Sequence, residues 1–549
     1  MRSPRGLRWL SALGLAASFW ATPVLPAEQI ELSYPPFGTF SIRTSDLETY
    51  ARTGVASPEL NFLLRLIPTD QTGEIQQNLN AAIDIEPTTI TQVINSPIGR
   101  VLFERLGRVF KTGDGENGAK ALATAMEVAA ASPDGITVLT VLRGFPDKSI
   151  QIDGQFGLQA VGALFRAIQN EVEAVKFVER VATVQPTITL PNLPMPQQAG
   201  NYTWNKQTIS FVNPQRGTQP IPADVYVPEG LTAPAPLIVI SHGLASDRLS
   251  FAYLAEHLAS QGFAVAAVTH PGSDANQIGH FLSGAPLDYQ ALPEDWVQRP
   301  LDLKYVIDTI AAQAPANPTW NINTNQVALF GQSMGGYTVL AAAGAVVNWP
   351  SIPQECKRIA EDSFSFNISL PLQCRIIAAQ PPKTSVADPR VKAVIAVNPV
   401  ASTLFGESGF AEIRVPTMLV AGSNDIFAPP LEEQIRPFTW LQHSSPKFLS
   451  VIQPGTHFST IGVSSDGVLP VPQDLIGPNP ELAQVGIKGL SSAFFKAFAA
   501  NQPEFRPFLS QTFANNLSSE EDAFKFFIVD QLNVNQLNQV LSRDTLTNR

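Results

Sequence analysis

The sequence predicts an α/β fold in the second half of the chain, with a mostly parallel sheet of eight strands. Short continuous apolar runs recur beyond residue 200, and most are separated by stretches with helical spacing. The six runs are Leu237–Ile240, Phe263–Val268, Val327–Phe330, Val391–Val397, Thr417–Ala421 and Phe448–Ile452. Apolar strands that alternate with helices are typical of a parallel sheet covered on both faces. A hairpin, Thr208–Asn213 with Ala223–Val227, precedes them and adds two antiparallel strands.

The chain before this region has a different pattern. Residues 28–185 contain apolar residues at helical spacing and predict a separate, mainly helical domain. Four prolines then fall in the polar stretch 186–204, which helices and central strands do not accept, so we place a linker there. The α/β domain follows over residues 205–500, and the tail, 501–549, has amphipathic helical character.

The N-terminus has the pattern of a secretory signal peptide over residues 1–27. Three arginines come first, at Arg2, Arg5 and Arg8. An apolar segment from Trp9 to Ala21 follows, and Ala27 offers a small residue for cleavage. The segment is short of the ~20 residues that span a bilayer, which favours a cleaved signal over a membrane anchor. We therefore expect an exported protein, either periplasmic or extracellular.

The composition excludes several classes of function. Hydrophobic residues make up 44% of the 549 residues, which allows a large core, and the net charge is −11 without a basic stripe. An acidic chain of this kind binds nucleic acid poorly, because phosphate neutralisation supplies most non-specific affinity. The six histidines are scattered, and neither a zinc motif nor a dinucleotide fingerprint is present. We therefore expect no metal, no cofactor and no nucleic-acid partner.

One segment carries a nucleophile motif. After the apolar run ending at Phe330 comes Gly331-Gln332-Ser333-Met334-Gly335, followed by a helix of small residues. In a G-x-S-x-G turn between a strand and a helix, the sharp bend exposes the serine Oγ above the sheet edge. The motif alone is weak evidence, but the strand before it and the helix after it make Ser333 a strong candidate nucleophile.

A serine nucleophile needs a base and an acid that orients the base. In hydrolases with this motif the chain order is serine, acid, histidine. Asp425 directly follows the run Thr417–Ala421, and His457 directly follows the last run. His443 precedes that run in a polar stretch and is interpreted as a surface residue. The predicted triad is therefore Ser333, Asp425 and His457, which form and hydrolyse an acyl-enzyme.

The neighbouring segments supply candidate oxyanion and pocket residues. One oxyanion donor is predicted to be the backbone N–H of Met334, and the other that of Leu244 in the loop after Leu237–Ile240. Candidate pocket residues are His242, His270, Gln332 and Tyr337. For His242 and His270 a structural role is the favoured alternative. Asp302 is expected to compensate a helix dipole or to support the oxyanion loop.

These motifs resemble a family of secreted α/β-hydrolases known mostly from cyanobacteria. The resemblance rests on Ser241-His242-Gly243-Leu244, His270-Pro271-Gly272, the Ser333 motif, Asp425 and His457. Members carry an N-terminal domain of unknown function, and their catalytic half is similar to platelet-activating-factor acetylhydrolases and dienelactone-hydrolase-like esterases. The resemblance implies an esterase or lipase and covers residues 205–500. No residue of the N-terminal region carries a transferable role.

An insertion follows the nucleophile helix at residues 349–389. It holds the two cysteines, Cys356 and Cys374, and several apolar residues, among them Phe364, Phe366, Leu370 and Leu372. Two cysteines that close a short loop in an exported chain favour a disulfide over free thiols. The insertion is either a cap over the pocket or a surface excursion, and both interpretations stay open.

The leading hypothesis is hydrolysis of a small-molecule or lipid ester. A phospholipid esterase similar to the acetylhydrolases, a peptidase and a haloperoxidase-like enzyme are alternatives on the same scaffold. The peptidase is disfavoured because the sequence shows no acidic cluster that would bind a substrate amine. A non-catalytic binding protein is disfavoured because all three triad residues are present. Association with an envelope or membrane surface and the oligomeric state are left open.

Overall fold

The computed structural model describes residues 27–34, 38–65, 97–275, 291–361, 367–462 and 476–546, together with the single positions 76, 79, 91 and 94. The chain divides into two compact units, Met1–Gly157 and Leu158–Arg549. The signal peptide predicted for residues 1–27 lies outside the described residues except at Ala27, so it stays a prediction. Within the described parts, no helix is both long and apolar enough to cross a membrane.

In its described part, the first unit, for which mainly helices were predicted, combines helices with a small four-stranded sheet. In its described part, the strand order is β2, β1, β4, β3. The elements are β1 (Gln29–Tyr34), β2 (Gly38–Arg43), α1 (Thr44–Thr53), α2 (Pro58–Leu64), α3 (Pro97–Val109), β3 (Phe110–Thr112), α4 (Ala119–Ala130), α5 (Val138–Gly144) and β4 (Ser149–Asp153). Strands β3 and β4 contain only 3 and 5 residues, too few to show a period of two clearly.

Helix α6 (Gly154–Thr183) shifts the division between the units away from the predicted linker. Four of its side chains recur at helical spacing and are buried in the core of the second unit; they are Ala174, Phe177, Val178 and Ala182. The division therefore falls after Gly157 and not in residues 186–204. Leu190, Leu193 and Met195 of that proline-rich segment also pack against the second unit.

The second unit is built on one large sheet. Its described strands number nine, in the order β13, β12, β11, β10, β9, β7, β8, β6, β5. They are β5 (Trp204–Phe211), β6 (Ile221–Pro228), β7 (Ala235–Ser241), β8 (Ala264–Val268), β9 (Ile322–Gln332), β10 (Val391–Val397), β11 (Thr417–Gly422), β12 (Lys447–Gln453) and β13 (Lys525–Val529). Strands β7 to β12 are parallel, and the predicted antiparallel hairpin is present as β5 and β6.

Burial on both faces explains why the parallel strands are continuously apolar. In β7, Leu237 and Val239 belong to one buried cluster, and Ile238 and Ile240 belong to another. Successive side chains of a strand point to opposite faces, so both faces of the sheet are covered. The prediction of a mostly parallel α/β sheet is confirmed, with β13 as an additional antiparallel strand from the tail.

Helices follow most strands of the second unit. They are α7 (Ala252–Ser260), α8 (Ala291–Gln313), α9 (Met334–Ala342), α10 (Ile352–Glu361), α11 (Ser369–Gln373), α12 (Ser402–Ala411), α13 (Arg436–Trp440), α14 (Pro480–Phe498), α15 (Gln511–Leu517) and α16 (Val534–Leu546), with a π-helical turn at Leu431–Ile435. The tail was predicted to be helical throughout. Instead, β13 lies between α15 and α16 and pairs with β12 at the end of the sheet. Its side chains Phe526 and Phe527 are buried.

The histidine of α7 is expected to make the fold acid-sensitive. His257 Nε2 lies 3.0 Å from the carbonyl oxygen of Pro196 and 2.9 Å from Ser492 Oγ. Burial lowers the pKa of His257 to about 4. His257 therefore binds a proton near pH 6.5 in the unfolded chain but not in the folded chain. The unfolding free energy accordingly falls as the pH drops from 6.5 towards 4. Between pH 7.5 and pH 5, His257 alone is expected to remove about 2 kcal/mol of unfolding free energy.

Urea unfolding at these two pH values measures this effect. The His257→Gln variant keeps an N–H donor without a titrating group, so its unfolding free energy should fall by about 2 kcal/mol less than that of the wild type. His443→Gln is the matched control, because it removes an exposed histidine. Equal pH dependence in wild type and His257→Gln would refute the assignment.

Candidate active site

Ser333 lies in a tight turn between strand β9 and helix α9. Its backbone has φ 57° and ψ −120°, a left-handed conformation that non-glycine residues rarely adopt. The Ser333 N–H donates to the carbonyl oxygen of Val397 at 2.9 Å, which ties the turn to strand β10. A Cβ atom at Gly335 would lie 2.1 Å from the carbonyl oxygen of Ser241, so only glycine lets α9 approach the end of β7 this closely.

The structure brings the three predicted triad residues together. His457 Nε2 lies 2.8 Å from Ser333 Oγ, and His457 Nδ1 lies 2.6 Å from Asp425 Oδ2. The other carboxylate oxygen of Asp425 accepts the backbone N–H groups of Phe427 and Ala428, both at 2.8 Å. Because a carboxylate only accepts hydrogen bonds, Nδ1 of His457 carries the proton and Nε2 is left to accept the serine hydroxyl. All three side chains are buried.

Two amide side chains hold the histidine loop. Gln332 Nε2 donates to the carbonyl oxygen of His457 at 3.0 Å, and Asn398 Nδ2 donates to that of Thr456 at 3.1 Å. Asn398 Oδ1 accepts the N–H of Gly422 at 2.9 Å, so one side chain joins the ends of three parallel strands. Asn398 was missed in the sequence, although its place directly after β10 puts it at the same sheet edge as Ser333.

The loop after β7 lies against the nucleophile. A Cβ atom at Gly243 would lie 2.4 Å from Gln332 Oε1 and 3.3 Å from Ser333 Cβ, so the loop backbone contacts the serine directly. The N–H of Met334 belongs to the first turn of α9, where helix N–H groups have no partner within the helix. In the described part of the chain, the N–H of Leu244 also has no acceptor. The assignment of these two N–H groups as oxyanion donors stays a prediction.

Two buried histidines brace this loop. The backbone N–H of His270 donates to His242 Nε2 at 3.0 Å, and His242 Nδ1 lies 2.7 Å from the carbonyl oxygen of Gly243. Arg299 Nη2 donates to the carbonyl oxygen of His242. Burial, reinforced by the positive charge of Arg299, lowers the pKa of both imidazoles well below the usual value. Both rings are therefore neutral and structural at physiological pH, which favours the alternative over the pocket role.

A buried charge network continues from these histidines. His270 Nδ1 lies 2.9 Å from Asp302 Oδ2, and Arg216 binds the same carboxylate at 2.9 to 3.1 Å. Arg216 also binds Asp295 at 2.6 Å. Burial raises the pKa of both carboxyl groups, and Arg216 opposes this shift. Asp302 thus supports the oxyanion loop, one of the two roles expected for it, through partners that lie far away in the sequence.

Comparison with known families agrees with this architecture. Residues 26–153 match a family described as alpha/beta hydrolase of unknown function (DUF1400), and residues 232–352 match one described as serine aminopeptidase, S33. The second match runs from the start of β7 to the beginning of the insertion and includes the Ser333 turn. No curated protein sequence matches the chain. The sheet order, the Ser333 turn and both family matches together identify the fold.

The chain has the α/β-hydrolase fold. Its first unit corresponds to the N-terminal domain of unknown function that the resemblance implied. Asp425 and His457 lie outside both matched ranges, so their place in the site rests on the geometry alone.

Two of the predicted pocket residues of this α/β-hydrolase have other surroundings. Tyr337 lies in the core, where its hydroxyl donates to the carbonyl oxygen of Trp296 at 2.7 Å and its ring stacks on Phe405. Gln332 is buried and bonds the histidine loop. The prediction missed this because a residue next to the nucleophile can face the core instead of the pocket. The rings beside His457 are those of Phe427 and Phe458, with centroids 5.5 Å and 5.1 Å from it.

The insertion of the α/β-hydrolase contains the predicted disulfide. Cys356 of α10 is bonded to Cys374, with the two Cα atoms 5.5 Å apart. Phe364 and Phe366 lie outside the described residues, so the cap interpretation is not tested there. The described residues contain no group of three or more histidine, cysteine or acidic side chains that could hold a metal ion.

A cavity of about 690 Å³ lies away from this site, at the opposite end of the sheet. It is lined by the segment after β6, around Gly230, and by the segment before β9, around Trp320. Strand β9 begins beside the cavity and ends at Gln332, next to Ser333. The cavity and Ser333 therefore lie at opposite ends of this strand.

Removing the central arginine of the charge network is expected to destabilise the α/β-hydrolase strongly. Arg216→Met leaves the fully buried carboxylates of Asp295 and Asp302 without the arginine that pairs with them directly. Breaking a buried ion pair on one side costs about 3–5 kcal/mol. Chemical denaturation should show this loss, whereas Arg414→Met should change stability by less than about 0.5 kcal/mol, because the Arg414–Glu412 pair is more than half exposed. Equal stability of both variants would contradict the role given to the network.

Proposed function

We propose that this α/β-hydrolase cleaves carboxylic esters through an acyl-enzyme on Ser333. The observation that carries the proposal is the continuous hydrogen-bonded series from Ser333 Oγ through His457 to Asp425, at 2.8 Å and 2.6 Å. A serine is a weak nucleophile at neutral pH unless a positioned base accepts its proton. The series provides that base in the required tautomer.

In the proposed reaction, Ser333 Oγ attacks the ester carbonyl carbon while His457 Nε2 takes the hydroxyl proton. The tetrahedral intermediate collapses, and the alcohol leaves with the proton that His457 returns to it. Water then attacks the acyl carbon, gives its proton to His457, and the acid is released as Ser333 regains a proton. Asp425 stays ionised and stabilises the imidazolium that forms twice in the cycle.

The negative charge on the carbonyl oxygen needs donors that are already in place. The N–H groups of Met334 and Leu244 are the proposed pair, on the two sides of Ser333. His242, His270 and Arg299 fix the Leu244 loop through hydrogen bonds that involve backbone groups. The loop therefore needs little reorganisation when the transition state forms. Removing one such donor typically lowers kcat by about 10²- to 10³-fold.

An apolar ester is the favoured substrate class, which includes lipid esters similar to those of acetylhydrolases. The rings of Phe427 and Phe458 flank His457, where the leaving group or acyl chain must pass. Export is part of the proposal, and the Cys356–Cys374 disulfide supports it because disulfides persist in oxidising compartments.

A peptidase is the second candidate, because residues 232–352 match a serine aminopeptidase family. An aminopeptidase needs negative charge to bind the substrate amine. The carboxyl groups of Glu171 and Glu432 lie beside each other near Asp425, and burial, together with the neighbouring Glu432, raises the pKa of Glu171 to about 10. Protonation of Glu171 removes the charge of one carboxyl group of the pair only, so this pair is the feature that would bind a substrate amine if the chain were a peptidase.

The test compares two substrate series on the full chain. One series contains p-nitrophenyl esters from acetyl to palmitoyl, and the other contains aminoacyl p-nitroanilides. Hydrolysis of esters with at least about 100-fold higher kcat/KM than anilides supports the proposal, and the chain-length profile defines the acyl group. Faster anilide cleavage would establish the peptidase instead. If a folded wild type is inert on both series and is not labelled by a fluorophosphonate, the serine-hydrolase proposal fails.

A further inference from the structure

A buried glutamate outside the triad joins three segments of the catalytic unit. Glu433 lies in the π-helical turn Leu431–Ile435, and its side chain is fully buried. Its two carboxylate oxygens have six polar groups within 3.0 Å. These groups are Asn367 Nδ2, Ser369 Oγ, Gln373 Nε2, Ala401 N, Ser402 N and Ser402 Oγ.

The six groups belong to two separate parts of the chain. The side chains of Asn367, Ser369 and Gln373 come from the insertion, in and before α11. The other three groups come from Ala401 and Ser402, at the start of α12. Gln373 adds a link of its own, because its Oε1 accepts the N–H of Thr403 at 2.9 Å. The insertion and α12 are therefore joined mainly through one carboxylate.

The segment before α12 supports the catalytic residues directly. We call residues 398–401 the β10 loop, because it follows β10. Its Asn398 donates to the carbonyl oxygens of Thr456 and His457, and its Val400 N–H donates to that of Ser333 at 3.4 Å. The residue after Glu433 contributes as well, since Gln434 Nε2 donates to the carbonyl oxygen of Pro399 at 3.1 Å.

The turn that carries Glu433 also follows the acid of the triad. We call residues 423–430 the acid loop; it contains Asp425 and leads directly into Leu431–Ile435. Glu433 thus fixes the end of the acid loop to the β10 loop, and it fixes both to the insertion. The disulfide from Cys356 to Cys374, next to Gln373, holds α10 to the same anchor.

We propose that Glu433 is a positioning residue, which aligns Asp425, His457 and Ser333 by clamping the acid loop and the β10 loop to the insertion. The proposal rests on the proposed function, because it concerns the same site. It also assigns residues 367–378 of the insertion a fixed structural role, so that this half of the insertion does not open as a lid.

The chemistry requires a carboxylate at this position. A carboxylate is an acceptor only, with about four lone-pair sites for the donors around it. The glutamine side chain has the same shape as glutamate, but its two amide N–H groups would face other donors. Glu433→Gln therefore leaves buried donors without an acceptor. The loops would then shift, and a displacement of about 1 Å at a catalytic group can cost about 100-fold in rate.

The first test measures the rate at which a fluorophosphonate labels Ser333 in the full chain. Glu433→Gln is expected to label about 10- to 100-fold more slowly than wild type, with kcat for esters falling by more than KM rises. Glu355→Gln is the matched control in the same insertion, because Glu355 is partly exposed and binds only Arg358 in the described structure. A folded Glu433→Gln that labels at the wild-type rate would overturn the proposal.

Hydrogen exchange separates this proposal from the proposed function. Glu433→Gln should raise amide exchange in residues 367–378, 398–402 and 425–435, and leave the first unit unchanged. If the wild type is not labelled, the proposed function fails, and exchange alone decides on Glu433. If Glu433→Gln does not fold, Ser369→Ala and Ser402→Ala each remove one donor and should each slow labelling by about two- to fivefold. If Ser369→Ala and Ser402→Ala both show the labelling rate and the amide exchange of the wild type, the proposal is overturned.

Discussion

Replacing Ser333 with alanine is expected to lower kcat for ester hydrolysis by about 10⁴- to 10⁶-fold. The change removes the only atom that can form the acyl-enzyme in the proposed reaction. The N–H groups of Met334 and Leu244 remain and can still bind the oxyanion, so a residual rate above the uncatalysed reaction should persist. The measurement is kcat with the best p-nitrophenyl ester, together with loss of fluorophosphonate labelling.

The fold should tolerate this change. Alanine keeps the positive φ of position 333, so wild type and variant share the same backbone cost, and the unfolding free energy should change by less than about 1 kcal/mol. Ser351→Ala is the control, since its hydroxyl bonds only the carbonyl oxygen of Asn348. A folded Ser333→Ala variant that keeps more than a tenth of wild-type kcat would mean that another group is the nucleophile.

Local sequence patterns determine the central sheet, and the reason is physical. The parallel strands are buried on both faces over most of their length, so they appear as largely apolar runs, and Val391–Val397 was predicted with the observed bounds. Strand β13 has the same character but was assigned to a helical tail. A run as short as Lys525–Val529 does not show whether the period is two or 3.6, and its pairing with β12 depends on contacts that the sequence does not display.

The triad could be predicted because each member directly follows a strand. Parallel strands end at the same edge of the sheet, so Ser333 and His457 meet although they are 124 residues apart. The buried polar residues around them could not be predicted in this way. Arg216, Asn398 and Glu433 have no motif, and each acts through partners from distant segments that only the folded chain brings together.

The boundary between the two units could not be predicted from the sequence, for a different reason. Prolines indicate where helices and central strands stop, and the segment is indeed irregular over residues 186–203. A domain boundary, however, depends on which surfaces become buried together. The second half of helix α6, from Ala174 to Ala182, has an apolar face that packs in the core of the second unit. The apolar spacing in residues 28–185 indicated helices but carried no information about what those helices pack against.

Asp425→Asn is expected to lower kcat by about 10⁴-fold, by reversing the tautomer of His457. The backbone N–H groups of Phe427 and Ala428 fix the orientation of the new amide, because they need an acceptor and will bind its oxygen. The amide N–H₂ then faces His457 Nδ1 as a donor. His457 must accept there and carry its proton on Nε2, which points at Ser333 Oγ and can no longer take the hydroxyl proton.

The change of tautomer should produce a specific combination of results. Asp425→Asn should be folded and should lose activity without a matching rise in KM, because the substrate contacts are unchanged and only proton transfer fails. Asp308→Asn, at a partly exposed carboxylate bound to Lys304, should keep wild-type kcat. If Asp425→Asn retains kcat within about tenfold, Asp425 does not orient the base, and its place beside His457 is structural only. A tautomer effect also predicts that His457 keeps its position, so fluorophosphonate labelling should slow in parallel with kcat.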